Sequence, residues 1–479
     1  MKKIKRNERR ALIRKMITLF QLVTLLGLVA ALLLNKMIPF KYLAIASGVL
    51  FVLWIICLAL QFVKNRVHLL GIFLSIVLSI SQFAGVFYVT MTNELMDKVG
   101  GASYKIDNMI VVVRNDDPAE TLADAIDYNF GIQTTQDQVN TQLMLKDVNE
   151  LLGKTIVTTE YEGIVEEAQG LLNGEVQAII YNEAFGGVIE ESIEDYSSQV
   201  RVLYQYGIET EIIKEEVDIS NAFNIYISGI DVAGSISKNS RSDVNIIMTV
   251  NPDTKQILLT STPRDFYVEI PGISGGAKDK LTHAGIYGVD ASMRTLENIY
   301  GIDISYYARV NFTSVVKIVD ALGGVDVQSD YTFSAGGYNF QEGINHLNGE
   351  QALAFSRERY SFSGGDRQRG KNQEAVIEAI LEKAMSPAVL KNASGIITSV
   401  SDCVETNMTR DEMSEFINMQ LSDPAIWSIE SQAADGSGSR ASCYSSGSQQ
   451  LYVMVPNEAV VTTCSQKMQG IINSSETTE

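Results

Sequence analysis

Residues 224–265 read NIYISGIDVAGSISKNSRSDVNIIMTVNPDTKQILLTSTPRD, and their pattern decides the architecture. Three apolar runs rich in β-branched residues stand out: Asn224–Asp231 (NIYISGID), Val244–Asn251 (VNIIMTVN) and Gln256–Thr262 (QILLTST). Each has strand length and is bounded by Gly, Ser, Asn or Pro, the residues that break strands and make turns. Downstream the pattern predicts a helix over Ala291–Tyr300, a strand over Tyr306–Phe312 and a helix over Thr313–Leu322, closed by Gly323-Gly324. A helix from about Gly349 and a long amphipathic helix over Lys371–Met385 follow. Strands alternating with helices place residues 221–475 in the α/β class, with a central sheet flanked by helices. Within that span Gly436–Gln449 reads as a flexible loop and Leu451–Val455 as a last strand; Asn473–Glu479 reads as a disordered tail.

Upstream, residues 104–217 read as a small accessory α/β domain. Met109–Arg114 and Val176–Tyr181 are buried-strand patterns; Ala119–Asn129 and the region near Glu183–Ile193 are helical patterns. No catalytic constellation is visible there. Residues 94–103 form a short connector to the N-terminal part, where three uncharged apolar runs lie in residues 16–92: Met16–Leu34, Tyr42–Val63 and Val67–Met91. Each is long enough to cross a hydrocarbon core as a helix, which needs about 20 apolar residues.

Flanking charge predicts the orientation. Residues 1–15, MKKIKRNERRALIRK, carry eight Lys or Arg and one Glu, and the hairpin Lys64–His68 is also basic. Both fit the cytoplasmic side, so three spans put everything beyond about Asn93 outside the cell. The charge is unevenly shared: residues 1–100 hold 13 Lys+Arg against 3 Asp+Glu, leaving 25 against 54 in the remainder. So acidic an ectodomain is not a nucleic-acid binder. Three of the four cysteines (Cys403, Cys443, Cys464) lie in it, enough for one disulfide with one thiol left over. With three histidines in the chain, a His/Cys metal site and a Ser-His-Asp scheme are both unattractive, and His283 and His346 read as structural.

The candidate site is set by charge at strand ends. Asp231 closes the first strand, Asp243 precedes the second, and Arg264-Asp265 follows the third. Such ends gather at the mouth of an α/β sheet, where ligands bind. Two carboxylates there suit Mg²⁺, which favours one or two Asp together with substrate phosphate oxygens. Against the acidic background, residues 357–373 (RERYSFSGGDRQRGKNQ) place Arg357, Arg359, Arg367 and Arg369 within thirteen positions. Arginine forks hold phosphate oxygens in pairs. In an extended chain Arg357 and Arg359 would share a face, while Arg369 and Gln373 would meet on one face of the following helix.

The combination ISGID, RSD, STPRD, DALGGVDV, LNGEQALAFSRER and D-x-x-R-x-x-x-Q, in this order over Asn221–Met385, resembles the LytR-CpsA-Psr family. The leading spans and accessory domain are similar to its capsule-linked members. The resemblance implies a membrane-anchored phosphotransferase that moves capsular polysaccharide from undecaprenyl diphosphate onto peptidoglycan, with Mg²⁺ (or Mn²⁺) as cofactor and other capsule-assembly proteins as partners. Carried over by position, Asp231 and Asp243 are the metal-associated aspartates, and Arg264, Arg357, Arg359, Arg369 and Gln373 hold the lipid diphosphate. Arg264, Arg357, Arg359 and Asp265 are the catalytic candidates; Asp265 would orient Arg264 or take part in proton transfer. Lys280, in KLTHAGIYG, is a candidate for the polar rim, Asp366 for a cap or orienting role in the loop, and Arg309 falls where relatives carry an apolar residue.

Two other readings stand beside this one: a membrane regulator that senses wall or capsule precursors, and a carrier-lipid binding module without catalysis. Fifteen cytoplasmic residues and a short hairpin leave no room for a helix-turn-helix.

Overall fold

The computed structural model describes residues 2–63, 67–100, 104–211, 221–230, 236, 239–363, 365–384, 386, 393–423 and 425–474. Asp231, Gly364 and residues 475–479 therefore lie outside the described residues, as does the side chain of Asp366. The chain divides into two compact units.

One unit holds α1 (Lys2–Asn35), α2 (Phe40–Phe62) and α3 (Val67–Val99) together with residues 384–401 and 408–425. Leu12–Asn35, Phe40–Phe62 and Val67–Val99 are long and apolar enough to cross a membrane. The phenylalanines of these helices are exposed, whereas Thr18, Thr24, Gln61 and Gln82 are buried. Thr18 donates to Gln61 (2.9 Å), Thr24 to Gln82 (2.7 Å) and Asn35 to Asn93 (2.6 Å). Interhelical polar bonds of this kind hold helices together where burial of apolar surface cannot. At the ends of these helices, helix Arg410–Ser422 is fastened by Lys36–Asp411 (2.7 Å), Arg410–Asp97 (3.2 Å) and Asn418 donating to the Lys36 carbonyl (2.8 Å).

The other unit holds residues 102–383, 402–407 and 426–479 and is built on two sheets. The first contains β1 (Tyr104–Arg114), β2 (Asn129–Gln133), β3 (Val157–Tyr161), β4 (Ala178–Asn182) and β5 (Val200–Glu211), in the order β3-β2-β4-β1-β5. Alternation along β1 sends Met109, Val111 and Val113 to a core shared with Met144 and Val148 of α4 (Gln138–Leu152). Ile110 and Val112 enter the opposite core with Ile164 and Leu171 of α5 (Ile164–Leu172) and Ile189 of α6 (Gly186–Ser192). The helix expected over Ala119–Asn129 is only a 3₁₀ turn, Leu122–Ala125. Asp117 accepts from the Ala119 amide and the Tyr128 hydroxyl, and a Thr121–Asp124 capping box encloses the turn. These local bonds compete with helix propagation.

The second sheet contains β6 (Phe223–Ile230), β7 (Ser242–Asn251) and β8 (Gln256–Ser261), paired antiparallel. Tyr306–Asn311 adds parallel to β6 and Ser428–Ala433 parallel to β8; Val404–Thr406 adds antiparallel at the outer edge of Tyr306–Asn311. Tyr226, Ile247, Leu258 and Phe266 pack against Leu296 and Tyr300 of helix Val289–Tyr300 and Val461 and Met468 of helix Glu458–Ile472. The segment expected to be a flexible loop, Gly436–Gln449, instead begins as a strand, Gly436–Ser442, paired antiparallel with Gln450–Pro456. Its Gly/Ser composition serves close packing: a Cβ on Gly436 would sit 2.3 Å from the Val455 carbonyl oxygen.

Candidate functional site

β6 and β7 run in simple register until Gly229 faces Val244; then Ile230 faces Ser242, leaving Asp243 as the extra residue of a β-bulge. Bulges re-aim side chains at the ends of strand pairs. Gly229 is required there, because a Cβ would lie 2.6 Å from that of Val244. Beneath the bulge, Tyr226 donates to Asn245 (2.6 Å) and also bonds Ser242 (2.9 Å), fixing the base from which Asp243 projects.

After β8 the chain turns through Arg264-Asp265, which is held by backbone bonds on both sides. Thr282 donates to the Arg264 carbonyl (2.8 Å), Leu281 to that of Phe266 (2.8 Å) and Met454 to that of Asp265 (2.7 Å). Arg264 Nη1 reaches Asp243 Oδ1 at 3.0 Å, and Thr282 Oγ1 donates to the same oxygen at 3.2 Å. Asp265 stands on the other flank, 3.8 Å from Arg264 Nε and 3.4 Å from Lys280 Nζ. Lys280 continues to Glu191 (2.9 Å), and Glu191 pairs with Arg241. The result is a chain of alternating charge: Arg241, Glu191, Lys280, Asp265, Arg264, Asp243. Burial opposes ionisation of Asp243, but the guanidiniums of Arg264, Arg241 and Arg369 outweigh it and hold its carboxyl below the usual range.

Arg369 enters through the helix Asp366–Ala384, which starts five residues before the expected Lys371. At Gly370 this helix lies beside the end of β8, where even a Cβ would be in ordinary contact, 3.5 Å from Ser261 Oγ. Gln373 is half-buried one turn further along the same helix. Arg357 and Arg359 are not an extended pair; Arg357 is the last residue of helix Gly349–Arg357, and only Glu358 between them is extended. That helix starts at an Asn348–Gln351 capping box and ends over an aromatic cluster. Phe333 meets Phe340 (4.9 Å), Phe355 (5.3 Å) and Phe362 (4.8 Å) between ring centroids, so the loop carrying Arg359 is anchored at both ends. Arg357 is exposed, and Arg359 lies over the Tyr360 ring, 4.6 Å from its centroid.

Lys280 is not at the rim: it is 5% exposed and enclosed by Glu191 and Asp265. Arg367 turns away to Asp435 (2.8 Å) and the Gly436 carbonyl (3.0 Å). Arg309 is buried and pairs with Glu405 (3.3 Å), tying the edge strand Val404–Thr406 to its neighbour. His283 is sealed with Asp279 (2.6 Å) and Ser445 (2.7 Å), and His346 pairs with Asp326 at the surface (2.8 Å). All four cysteines are free thiols in buried positions. Among the described residues no group of three His, Cys, Asp or Glu gathers to hold a metal. Asp243 is the described oxygen donor suited to Mg²⁺, an ion that often takes few protein ligands. Sequence reasoning missed Glu191, Arg241 and Thr282. Arg241 opens the RSD motif that ends in Asp243 and could have been found; Glu191, on a helix of the first sheet, gave no signal.

The model of the LytR_cpsA_psr family matches residues 194–461, more than half of the chain, and the protein belongs to that family. The polyisoprenyl-teichoic acid–peptidoglycan teichoic acid transferase TagU of Enterococcus faecalis is 40% identical over 205 residues, 42% of this chain and 67% of that one. The Bacillus mycoides transferase of the same name is 38% identical over 208 residues, 43% and 66% of the two chains. The chain thus spans about two thirds of the length of these curated relatives. The crystal structure of B. subtilis TagU matches with 28% identity and a TM-score of 0.42, covering 53% of this chain and 98% of that one.

Proposed function

We propose that this protein transfers a glycopolymer from a polyprenyl-diphosphate carrier to peptidoglycan, and that the polymer is a capsular polysaccharide on undecaprenyl diphosphate. The observation that carries the reading is the convergence of Arg241, Arg264, Lys280 and Arg369 about Asp243 and Asp265 in an acidic ectodomain. The relatives' names supply the substrate class. The basic N-terminus supports a site outside the cell, where carrier and acceptor would meet.

In this reaction an acceptor sugar hydroxyl forms a bond to the sugar-bearing phosphorus. The bond from that phosphorus to the bridging oxygen breaks, undecaprenyl phosphate leaves with the electron pair, and the hydroxyl proton passes to a base. Most of the catalysis in phosphoryl transfer is positioning and charge neutralisation. Arg264, Arg357, Arg359, Arg369, Gln373 and Lys280 would hold the diphosphate, with Arg264, Arg357 and Arg359 stabilising the charge that grows on the leaving phosphate. Asp265 orients Arg264 and Lys280 from between them and is the candidate proton acceptor. Asp243, together with Asp231, would hold Mg²⁺ (or Mn²⁺), which supplies neutralisation of phosphate charge when bound.

The test is to incubate the detergent-solubilised full chain with a lipid-diphosphate oligosaccharide and peptidoglycan fragments. The expected product is peptidoglycan carrying the oligosaccharide through a phosphodiester, with release of lipid monophosphate. Recovery of the intact lipid-diphosphate donor, with no lipid monophosphate formed, would sink the reading.

A further inference from the structure

Glu191 belongs to the first sheet's α6, not to the strands that carry the site motifs, yet it holds two of the site's cations. Its Oε2 accepts from Lys280 Nζ at 2.9 Å and its Oε1 pairs with Arg241 Nη1. The seat for Arg241 is built into the same helix. Gly187 lies four residues before Glu191, on the same helical face, and a Cβ there would sit 2.6 Å from Arg241 Nε. The guanidinium instead lies across the glycine, 3.4 Å from its carbonyl oxygen. Lys280 is pinned between Glu191 and Asp265, the carboxylate that also flanks Arg264.

We infer that Glu191, with Gly187, is a positioning residue for the transfer reaction: the first sheet domain fixes Arg241 and Lys280 where the lipid diphosphate must meet them. The inference rests on the proposed transferase reading and deepens it. Without Glu191 both cations remain, Lys280 against Asp265 and Arg241 against the Gly187 carbonyl, but the carboxylate that directs the two together is gone. The site then loses one negative charge near the bound anion, so ground-state binding is strengthened while alignment in the transition state is lost. A loss of structure would not produce that split.

Glu191→Gln, Glu191→Asp and Gly187→Ala in the full chain test it, with thermal unfolding as a control. Steady-state transfer from the lipid-diphosphate oligosaccharide should show kcat lowered at least tenfold in Glu191→Gln, with KM for the lipid unchanged or lower and an unchanged unfolding temperature. Glu191→Asp should recover part of kcat, and Gly187→Ala should resemble Glu191→Gln. Farnesyl diphosphate, used as a binding probe, should bind Glu191→Gln two- to fivefold more tightly. Wild-type kcat, KM and probe affinity in Glu191→Gln would overturn the inference. So would a loss of kcat that merely follows a loss of folded protein and is not recovered by Asp. Should the wild type transfer nothing, the transferase reading fails separately, and the probe decides on Glu191: tighter binding in Glu191→Gln supports its hold on the anion seat and unchanged binding refutes it.

Discussion

Glu374 follows Gln373 on the helix that carries Arg369, but its side chain turns into the protein, where it is 4% exposed. Burial pushes its carboxyl from 4.5 up to about 8, against the pull of the Ser261 backbone and of Lys371 and with the help of Glu378. In the unfolded chain the same group titrates near its ordinary value. The folded state therefore holds this proton more tightly. The group's contribution to stability is fully present below pH 4.5 and is lost as pH rises through about 8. At about 1.4 kcal/mol per pH unit, keeping Glu374 buried costs roughly 3 kcal/mol by pH 7, where the folded state still holds the proton, and roughly 5 kcal/mol above pH 8. Against a total stability of about 5–15 kcal/mol this is a large term. Glu374→Gln keeps the shape and removes the titration. Thermal unfolding of the full chain in detergent, followed by circular dichroism from pH 5 to 8.5, should show the variant gaining on the wild type as pH rises. The gain should be under about 1 kcal/mol at pH 5 and several at pH 8.5. An equal difference at both ends of the range would refute a proton held at Glu374.

Arg264→Ala should lower transfer by about 10²–10³-fold, the usual cost of removing one charge-stabilising donor, with the far-ultraviolet circular dichroism of the wild type; near-normal turnover would remove Arg264 from the mechanism. Chelation of divalent metal should abolish transfer, and Mg²⁺ should restore it; activity persisting in chelator would leave Asp231 and Asp243 without a metal role. Gly229→Ala should cost about 1–3 kcal/mol by overpacking against Val244, read as a lowered unfolding midpoint. Arg309→Ala should destabilise by about 1–3 kcal/mol by taking the charged partner from the half-buried Glu405, which keeps the Tyr307 hydroxyl, while kcat per folded molecule stays at the wild-type value. A selective loss of kcat would place Arg309 in the chemistry.

The strands of the second sheet were legible because their apolar runs are short, β-branched and bounded by turn residues. The third strand ends at Ser261, one residue short of its expected end, and the first is a strand as far as Ile230, with Asp231 outside the described residues. What local pattern could not show was the work of tertiary packing. Gly436–Ser442 reads as a flexible segment until Leu451 and Val453 opposite it are buried and its backbone is paired. Asp243 was readable as a strand-end carboxylate, but the bulge that aims it depends on a register shift with β6, a non-local fact. Lys280 looked like a rim residue because a lysine beside Leu281 has no local reason to be enclosed. Its two carboxylate partners come from positions 191 and 265, far apart in sequence. Arg357 and Arg359 were found by type and spacing, while their relation was misread because helix Gly349–Arg357 runs to its last possible residue before the loop.

The same charge chain explains how so acidic a domain keeps an anion site without leaving bare cations. Four cations, Arg241, Arg264, Lys280 and Arg369, stand with three carboxylates, Glu191, Asp243 and Asp265, so the cluster bears a small positive excess before substrate arrives. Burial works against ionisation of Glu191 as it does for Asp243, and in both the neighbouring cations prevail and keep the carboxylate charged. A doubly charged diphosphate overshoots that excess, and the balance must come from Arg357 and Arg359 in the adjoining loop or from a dication on Asp243. Because Asp243 already accepts from Arg264 and Thr282, such a dication would share its carboxylate with them and compete with Arg264 for it. On the proposed reading substrate entry would be an exchange of partners among groups already oriented, so that little charge would have to be reorganised as the leaving phosphate forms. On that reading Asp243 would be the pivot of the exchange: it holds Arg264 in the absence of substrate and, opposite Asp265 on the other flank, would bring a dication beside the same arginine.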